Sequence, residues 1–178
     1  MATWVALLRA VNLGNRNKVS MPLLREALTE AGFTEVRTYV QSGNVVLDSP
    51  LKSAASVGAA VRKVVADRFG VDNPVLVRTP AQLAAVLEWN PFPDAAADRP
   101  NLVAVQHLSA KPAAAKVKAL LAGDFAPVAI AHRGEEVVVD WHDRTGQPKV
   151  ERALTKLDVD ITARNWRTLA ALVELTRS

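Results

Sequence analysis

The order of strand-like and helix-like segments constrains the fold of this chain more strongly than any single motif does. Residues 3–11 are almost continuously apolar, as expected of a buried strand. An amphipathic helix is predicted from Met21 to Gly32, with Ser20 as its N-cap and glycine at its end. The next predicted segments are two strands, a helix and a fourth strand, over residues 35–40, 45–48, 53–69 and 75–78. The first half of the chain therefore has the order βαββαβ.

This order is that of the split-βαβ or ferredoxin-like unit, in which strands one and three are central and strands two and four lie at the edges. The residues agree with this arrangement, because strands one and three are apolar whereas strand two alternates between apolar and polar residues. We therefore predict that strand one pairs with both strand three and strand four.

The second half of the chain restarts the same order after a third helix, predicted over residues 80–88, and a proline-containing linker. A strand, a helix, two strands and two helices are predicted over residues 102–108, 112–121, 128–131, 136–141, 148–157 and 163–176. The sequence thus predicts an α+β fold with two tandem ferredoxin-like (split βαβ) subdomains. Their predicted bounds are residues 1–90, which include the linking helix, and residues 101–178.

Composition narrows the class of protein. Of the 178 residues, 49% are hydrophobic and 22% are charged, which excludes a disordered chain. The sequence has no cysteine, which excludes structural disulfides, cysteine-based zinc sites and thiol catalysis. We predict neither a signal peptide nor a membrane-spanning segment, so a cytoplasmic location is expected.

The distribution of charge says more than its sum. The formal net charge is only +4, which is weak support for a nucleic-acid partner. The first 25 residues, however, contain Arg9, Arg16, Lys18 and Arg25 and no acidic residue. This asymmetry indicates either a local positive field that could hold an anion or a solvated basic loop.

The main candidate site is the loop between strand one and helix one. It contains cations and amides, namely Arg9, Asn12, Asn15, Arg16 and Lys18. Because the start of a helix presents unpaired N–H groups and a positive dipole end, this position favours phosphate, sulfate or carboxylate. The alternative is that the Asn side chains satisfy the backbone of the loop itself. Neither the P-loop pattern nor the Rossmann glycine pattern occurs here.

Two further polar segments are secondary candidates. Residues 41–44 carry Asn44 between two strands, where a hairpin turn is the alternative interpretation. Arg164 lies near the predicted last helix, in which Trp166 has the spacing of a core residue. The histidines match no metal-binding spacing, so we predict no metal site and no cofactor.

The partners expected from the sequence are limited. The third strand carries no aromatic residue, whereas RNA-binding domains of this topology stack bases on aromatic side chains. We therefore expect no sequence-specific nucleic acid and no membrane partner. The sequence leaves the oligomeric state open.

Three strings carry a resemblance to a known family. The strings LLRAVNLGNRNKV-x-M, Y-V-QSGNVV and ARNW-x-T closely resemble the domain-of-unknown-function family 1697, over residues 4 to 175. The resemblance implies a cytosolic bacterial protein with two ferredoxin-like subdomains and implies no particular activity. Two positions depart from the family pattern. Asn15 stands where a glycine is frequent, and Ser20 stands where proline is common.

Three classes of function follow from these observations. The leading hypothesis is a protein that binds a small anionic or phosphorylated ligand at the first strand-to-helix loop. The second is a hydrolase of phosphoryl or acyl-phosphate substrates, in which Arg16 would hold the phosphate and Asn44 would position water. The third is an adaptor for nucleic acid or protein. Whether the protein is an enzyme stays open at this level.

Overall fold

Two four-stranded antiparallel sheets form the framework of the protein, in a computed structural model that describes residues 1–178. The chain divides into two units. Unit 1 contains Met1–Ala85 together with Ala170–Ser178, and unit 2 contains Val86–Leu169. None of the helices combines the length and the apolar content that crossing a bilayer requires.

Unit 1 has the predicted βαββαβ order. Its elements are β1 (Ala2–Leu8), α1 (Met21–Glu30), β2 (Thr34–Tyr39), β3 (Asn44–Ser49), α2 (Ala54–Phe69) and β4 (Val75–Arg78). The strands are arranged β2-β3-β1-β4, and each neighbouring pair is antiparallel. The prediction that strand one pairs with strands three and four is therefore confirmed.

The ends of the helices follow from their sequences. The Ser53 hydroxyl accepts a hydrogen bond from the Ser56 N–H at the start of α2, and Gly70 ends this helix with φ 68°. Helix α1 begins after Ser20, whose side chain makes no capping hydrogen bond. Pro22 is tolerated there because N–H groups in the first turn of a helix have no acceptor within the helix, so the N–H that proline lacks costs no hydrogen bond.

The sheet of unit 1 is buried on both faces. One face packs against α1 and α2 through a continuous apolar cluster that includes Trp4, Leu8 and Leu24. On the other face Val5 and Leu7 are fully buried. Burial on both faces explains why the sequence of β1 is continuously apolar and does not alternate between apolar and polar residues.

Unit 2 repeats the topology of unit 1. After α3 (Pro80–Trp89), the elements are α4 (Pro93–Asp98), β5 (Val103–Leu108), α5 (Ala114–Leu121), β6 (Ala129–Arg133), β7 (Glu136–Asp140), α6 (Gln147–Thr155), β8 (Ile161–Asn165) and α7 (Trp166–Leu175). The strand order β6-β7-β5-β8 corresponds to that of the first sheet. The predicted α+β fold of two ferredoxin-like subdomains is thus confirmed.

Two elements differ from the sequence prediction. The linker contains the short helix α4, and the last predicted helix begins at Trp166 because residues 161–165 form β8. In β8 the buried positions are held by polar residues, Thr162 and Arg164. The apolar alternation that normally indicates a strand is therefore missing, although the strand pairs with β5 along its whole length.

The grouping into units also differs from the predicted bounds of 1–90 and 101–178, because the end of α7 and the tail belong to unit 1. A charge-assisted contact helps to explain this. The Arg37 guanidinium on β2 donates hydrogen bonds to the Leu175 carbonyl (2.7 Å) and the Ser178 carbonyl (2.8 Å). Hydrogen bonds from the Arg37 side chain to backbone carbonyls thus join the two chain segments that make up unit 1.

The sheets match each other residue by residue. Val5 of β1 pairs with Arg78 of β4, and Val105 of β5 pairs with Arg164 of β8. Both arginines are buried. The two halves therefore place an arginine at the same register position of the same edge strand, which indicates a structural duplication with little sequence repetition.

Candidate functional site

The β1–α1 loop, residues 9–20, has an unusual backbone. Four of its residues have positive φ: Ala10 (53°), Asn12 (53°), Gly14 (56°) and Asn17 (51°). Glycine adopts this region freely and asparagine tolerates it, whereas a residue such as Ala10 is strained there. The loop therefore needs strong local contacts to keep its shape.

Asn12 and Asn17 supply those contacts. The Asn12 Nδ2 donates to the Val19 carbonyl at 2.9 Å, and its Oδ1 accepts from the Val19 N–H at 2.9 Å. The Asn17 Nδ2 donates to the Ala10 carbonyl at 2.8 Å, and the Asn12 N–H donates to the Asn17 carbonyl at 2.9 Å. Both side chains thus satisfy the backbone of their own loop.

Asn12 also joins this loop to the second polar segment. Its Nδ2 donates to the Gln41 carbonyl at 2.6 Å, and the Leu8 N–H donates to the Gly43 carbonyl at 2.8 Å. The sequence could not place residues 41–44 relative to the first loop, and the structure brings the two together. Both donors of the Asn12 amide are engaged in these contacts, so its part in the site is to hold the loop.

Gly43 is required by this close approach. A Cβ atom at this position would lie 2.6 Å from the Leu8 Cβ and 2.7 Å from the Val11 Cγ2, and the residue has φ 78°. Val40, at the other end of the same turn, is 53% exposed and has φ 50°. A β-branched residue with positive φ is an outlier, so backbone strain is stored at Val40. Ala10 is strained in the same way on the other segment that Asn12 contacts.

Asn44 lies at the base of this turn and is fully buried. Its Nδ2 donates to the Tyr39 carbonyl at 3.1 Å and to the Ser42 Oγ at 3.0 Å. These bonds close the turn between β2 and β3. The side chain is therefore engaged in structure rather than presented to a ligand.

The remaining predicted residues of the loop are exposed: Arg9, Asn15, Arg16 and Lys18. The Arg16 N–H donates to the Leu13 carbonyl at 2.9 Å, which closes a tight turn at the tip of the loop. Helix α1, which follows, has no acidic residue in its first turn. The loop thus combines a fixed backbone with exposed cations and no neighbouring carboxylate on the first turn of the helix.

Arg164 belongs to unit 2 and is a buried residue of β8. Its Nη1 donates to the Thr162 Oγ1 and to the Ala163 carbonyl, both at 2.8 Å. Burial lowers the pKa of the Arg164 guanidinium to about 10, so the group stays charged at neutral pH. Trp166, which follows in sequence, is buried as predicted.

Sequence reasoning missed an ion pair in unit 2. Arg99 donates to both carboxylate oxygens of Asp140, at 3.2 Å from Nε and 2.6 Å from Nη2, and the His142 N–H donates to Oδ1 at 3.0 Å. Burial alone would raise the pKa of Asp140, but the hydrogen bonds from Arg99 and His142 outweigh it. The pKa of Asp140 is therefore below its usual value. The partner could not be recognised because it lies in the linker.

Two more polar residues lie within the apolar strand β5. His107 is fully buried, and its Nδ1 lies 2.7 Å from the Glu136 Oε2. Gln106 is 5% exposed. A polar pair inside a run of buried apolar residues is the signal that could have indicated a second polar site here.

Comparison with known proteins is consistent with the fold and leaves the activity open. The model of the family described as a protein of unknown function (DUF1697) matches residues 1–137. A search of curated proteins finds no match. A solved structure, that of the conserved bacterial protein SP0830 from Streptococcus pneumoniae, is similar with a TM-score of 0.75 and 20% identity. The match covers 100% of this chain and 99% of that one, and at this identity it shows the fold alone. Because the family model covers more than half of the sequence, the chain belongs to the DUF1697 family, as its three strings indicated.

Proposed function

We propose that this protein binds a small anionic or phosphorylated ligand at the β1–α1 loop, with Arg16 and Lys18 as the main contacts and Arg9 and Asn15 beside them. The observation that carries the proposal is the fixed, strained backbone of a loop whose cations are exposed. Backbone strain of this kind costs about 1–3 kcal/mol per residue and is concentrated at functional sites.

The geometry suits an anion for a second reason. Residues of opposite backbone handedness that follow one another turn successive N–H groups toward a common point, which makes a concavity for anions. In this loop positive φ recurs at every second residue from Ala10 to Gly14. Arginine adds a planar guanidinium that can bind a phosphate through two parallel hydrogen bonds. The Asn12 and Arg16 N–H groups are already bonded within the loop, so the ligand contacts come from the cations and from the other N–H groups, while the Asn12 side chain keeps them in place.

The set of residues that we propose for binding is smaller than the set that the sequence suggested. Asn44 and Arg164 are buried and bound to neighbouring backbone and hydroxyl groups. The hydrolase alternative relied on Asn44 to position water, so no observation favours it. The adaptor alternative rests on the net charge of +4 alone.

The test is the effect of inorganic phosphate on the melting temperature. A ligand that binds only the native state at 100 times its Kd adds about 2.7 kcal/mol to the free energy of unfolding, which for a chain of this size is roughly 5–10 °C. Sodium chloride at the same ionic strength is the control for general salt effects. The double variant Arg16→Ala with Lys18→Ala should lose the phosphate increment while its melting temperature without phosphate stays nearly unchanged.

A charge-matched control separates local from global electrostatics. Lys52→Ala with Arg68→Ala removes the same charge from exposed positions of unit 1 outside the loop, and it should keep the phosphate increment. If phosphate stabilises the wild type no more than sodium chloride does, or if both double variants respond alike, the loop is only a connection between β1 and α1.

A further inference from the structure

Unit 2 contains a polar cavity, and no residue of the β1–α1 loop lines it. Its volume is about 300 Å³, which is at the lower end of the range for small-molecule sites. It lies between α6 and the face of the sheet on which Gln106 of β5 pairs with Ala163 of β8. The small side chains of Ala104 and Ala163 line it and leave space above the sheet.

Gln106 is the most deeply buried polar side chain that we consider in this cavity. Its side chain is 95% buried and lines the cavity, and its amide is not among the buried polar groups that are left without a partner. Polar groups in native proteins are bonded to another residue, to water or to a ligand, and an amide that opens into a cavity can take the last two. The position of Gln106 beside Ala163 leaves its amide open to whatever occupies the cavity.

Asn165 adds a second amide. Its Oδ1 accepts a hydrogen bond from the Thr168 N–H at 2.9 Å at the start of α7, and the residue lines the cavity. Because the oxygen is fixed by the helix, the orientation of the amide group is fixed as well, and its Nδ2 remains as a donor. Two amides are thus held by secondary structure rather than by flexible loops.

The rim of the cavity carries one cation and one carboxylate. Arg144 lies on the loop before α6 and has φ 68°, and it is exposed. Glu151 lies on α6, where its Oε1 accepts a hydrogen bond from the Gln147 Nε2 at 2.7 Å. The Arg164 guanidinium is bonded to Thr162, two residues away on β8, so it lies on the opposite face of the strand from Ala163 and Asn165 and its charge does not face the cavity. The charges on the rim therefore complement a ligand that has both signs and no net charge.

We propose that this cavity binds a small zwitterion of the α-amino-acid class. The ligand carboxylate pairs with Arg144, its ammonium group pairs with Glu151, and a polar side chain reaches the amide of Gln106. This site is independent of the anion site of unit 1, since the two share no residue.

The experiment is a calorimetric and thermal-shift screen of the full-length protein against the free L-amino acids, with inorganic phosphate as a comparison probe. At least one amino acid with an amide or hydroxyl side chain should bind. Gln106→Leu, which keeps a side chain of similar size, should weaken that binding at least tenfold. Arg144→Ala should weaken it as well, whereas Arg133→Ala, an exposed arginine of the same unit, should not.

Ala163→Leu provides a second route if Gln106→Leu fails to fold. Position 163 is exposed on β8, so the larger side chain fills the cavity without removing any hydrogen-bonding group. The double variant at Arg16 and Lys18 should bind the amino acid like the wild type, which separates this test from that of the anion site. The proposal is overturned if no amino acid binds, if phosphate binds in this cavity instead, or if Ala163→Leu binds the amino acid as tightly as the wild type.

Discussion

Replacement of Asn12 tests whether its amide holds the β1–α1 loop. Asn12→Ala removes three side-chain hydrogen bonds, two to Val19 and one to Gln41. At about 0.5–1 kcal/mol each for a partly exposed group, their loss amounts to roughly 2 kcal/mol. Alanine is also less tolerant of positive φ than asparagine, which adds about 1 kcal/mol. The free energy of unfolding should therefore fall by about 3 kcal/mol, or about 6–12 °C in melting temperature.

Urea and thermal unfolding, followed by circular dichroism, measure this change. Asn12→Gly separates the two terms, because glycine loses the hydrogen bonds but has no penalty at φ 53°. It should be less destabilised than Asn12→Ala by about 1 kcal/mol.

Asn15→Ala is the matched control, since it removes the same amide from an exposed position of the same loop and should cost less than about 0.5 kcal/mol. If Asn12→Ala is as stable as the wild type, or if Asn15→Ala costs as much, the amide of Asn12 does not hold the loop and the reasoning fails.

Three further changes test other contacts by the same unfolding measurements. Gly43→Ala should cost about 3 kcal/mol or more, through overpacking and positive φ together, whereas Gly14→Ala, which has nothing within 4 Å of the added Cβ, should cost only about 1 kcal/mol. Equal losses would contradict the close packing of Gly43. Val40→Gly should raise stability by about 1 kcal/mol if strain is stored at its positive φ, and a loss would count against that strain. Asp140→Asn should cost about 2 kcal/mol at pH 7 by weakening the contact with Arg99. Because the folded pKa of Asp140 lies below its unfolded value, this contribution is present above about pH 4 and is lost as the pH falls through the folded pKa. A difference between wild type and variant that grows below pH 4 would refute the assignment.

Most of the fold could be predicted because its local signals agree with one another. Helix α2 begins at a serine and ends at a glycine, and both residues adopt the expected cap conformations. Strand β8 could not be predicted, because Thr162 and Arg164 hold the buried positions where a strand pattern requires apolar residues. The strand that pairs with β8 is β5, which lies far back in the sequence, and no local pattern records this pairing.

The polar loop that we propose as the site could be recognised in the sequence, but the contacts of its residues could not. An asparagine offers the same donors and acceptor to a ligand and to backbone, so its role depends on what lies opposite. For Asn12 that group is the carbonyl of Gln41, which is far away along the chain. The cations Arg16 and Lys18 differ in this respect, because their exposure follows from their place at a loop tip.

The two halves of the chain close the same junction in different ways. Residues 9–20 connect β1 to α1, whereas residues 109–113 connect the equivalent elements β5 and α5. The short connection shows that this topology has no need of the long one. Unit 2 thus shows the shorter form of this connection, and replacing residues 9–20 by residues 109–113 should keep the architecture while removing the proposed anion site. Because the same topology occurs twice, unit 1 can carry a longer loop between its first strand and helix while unit 2 keeps the short one.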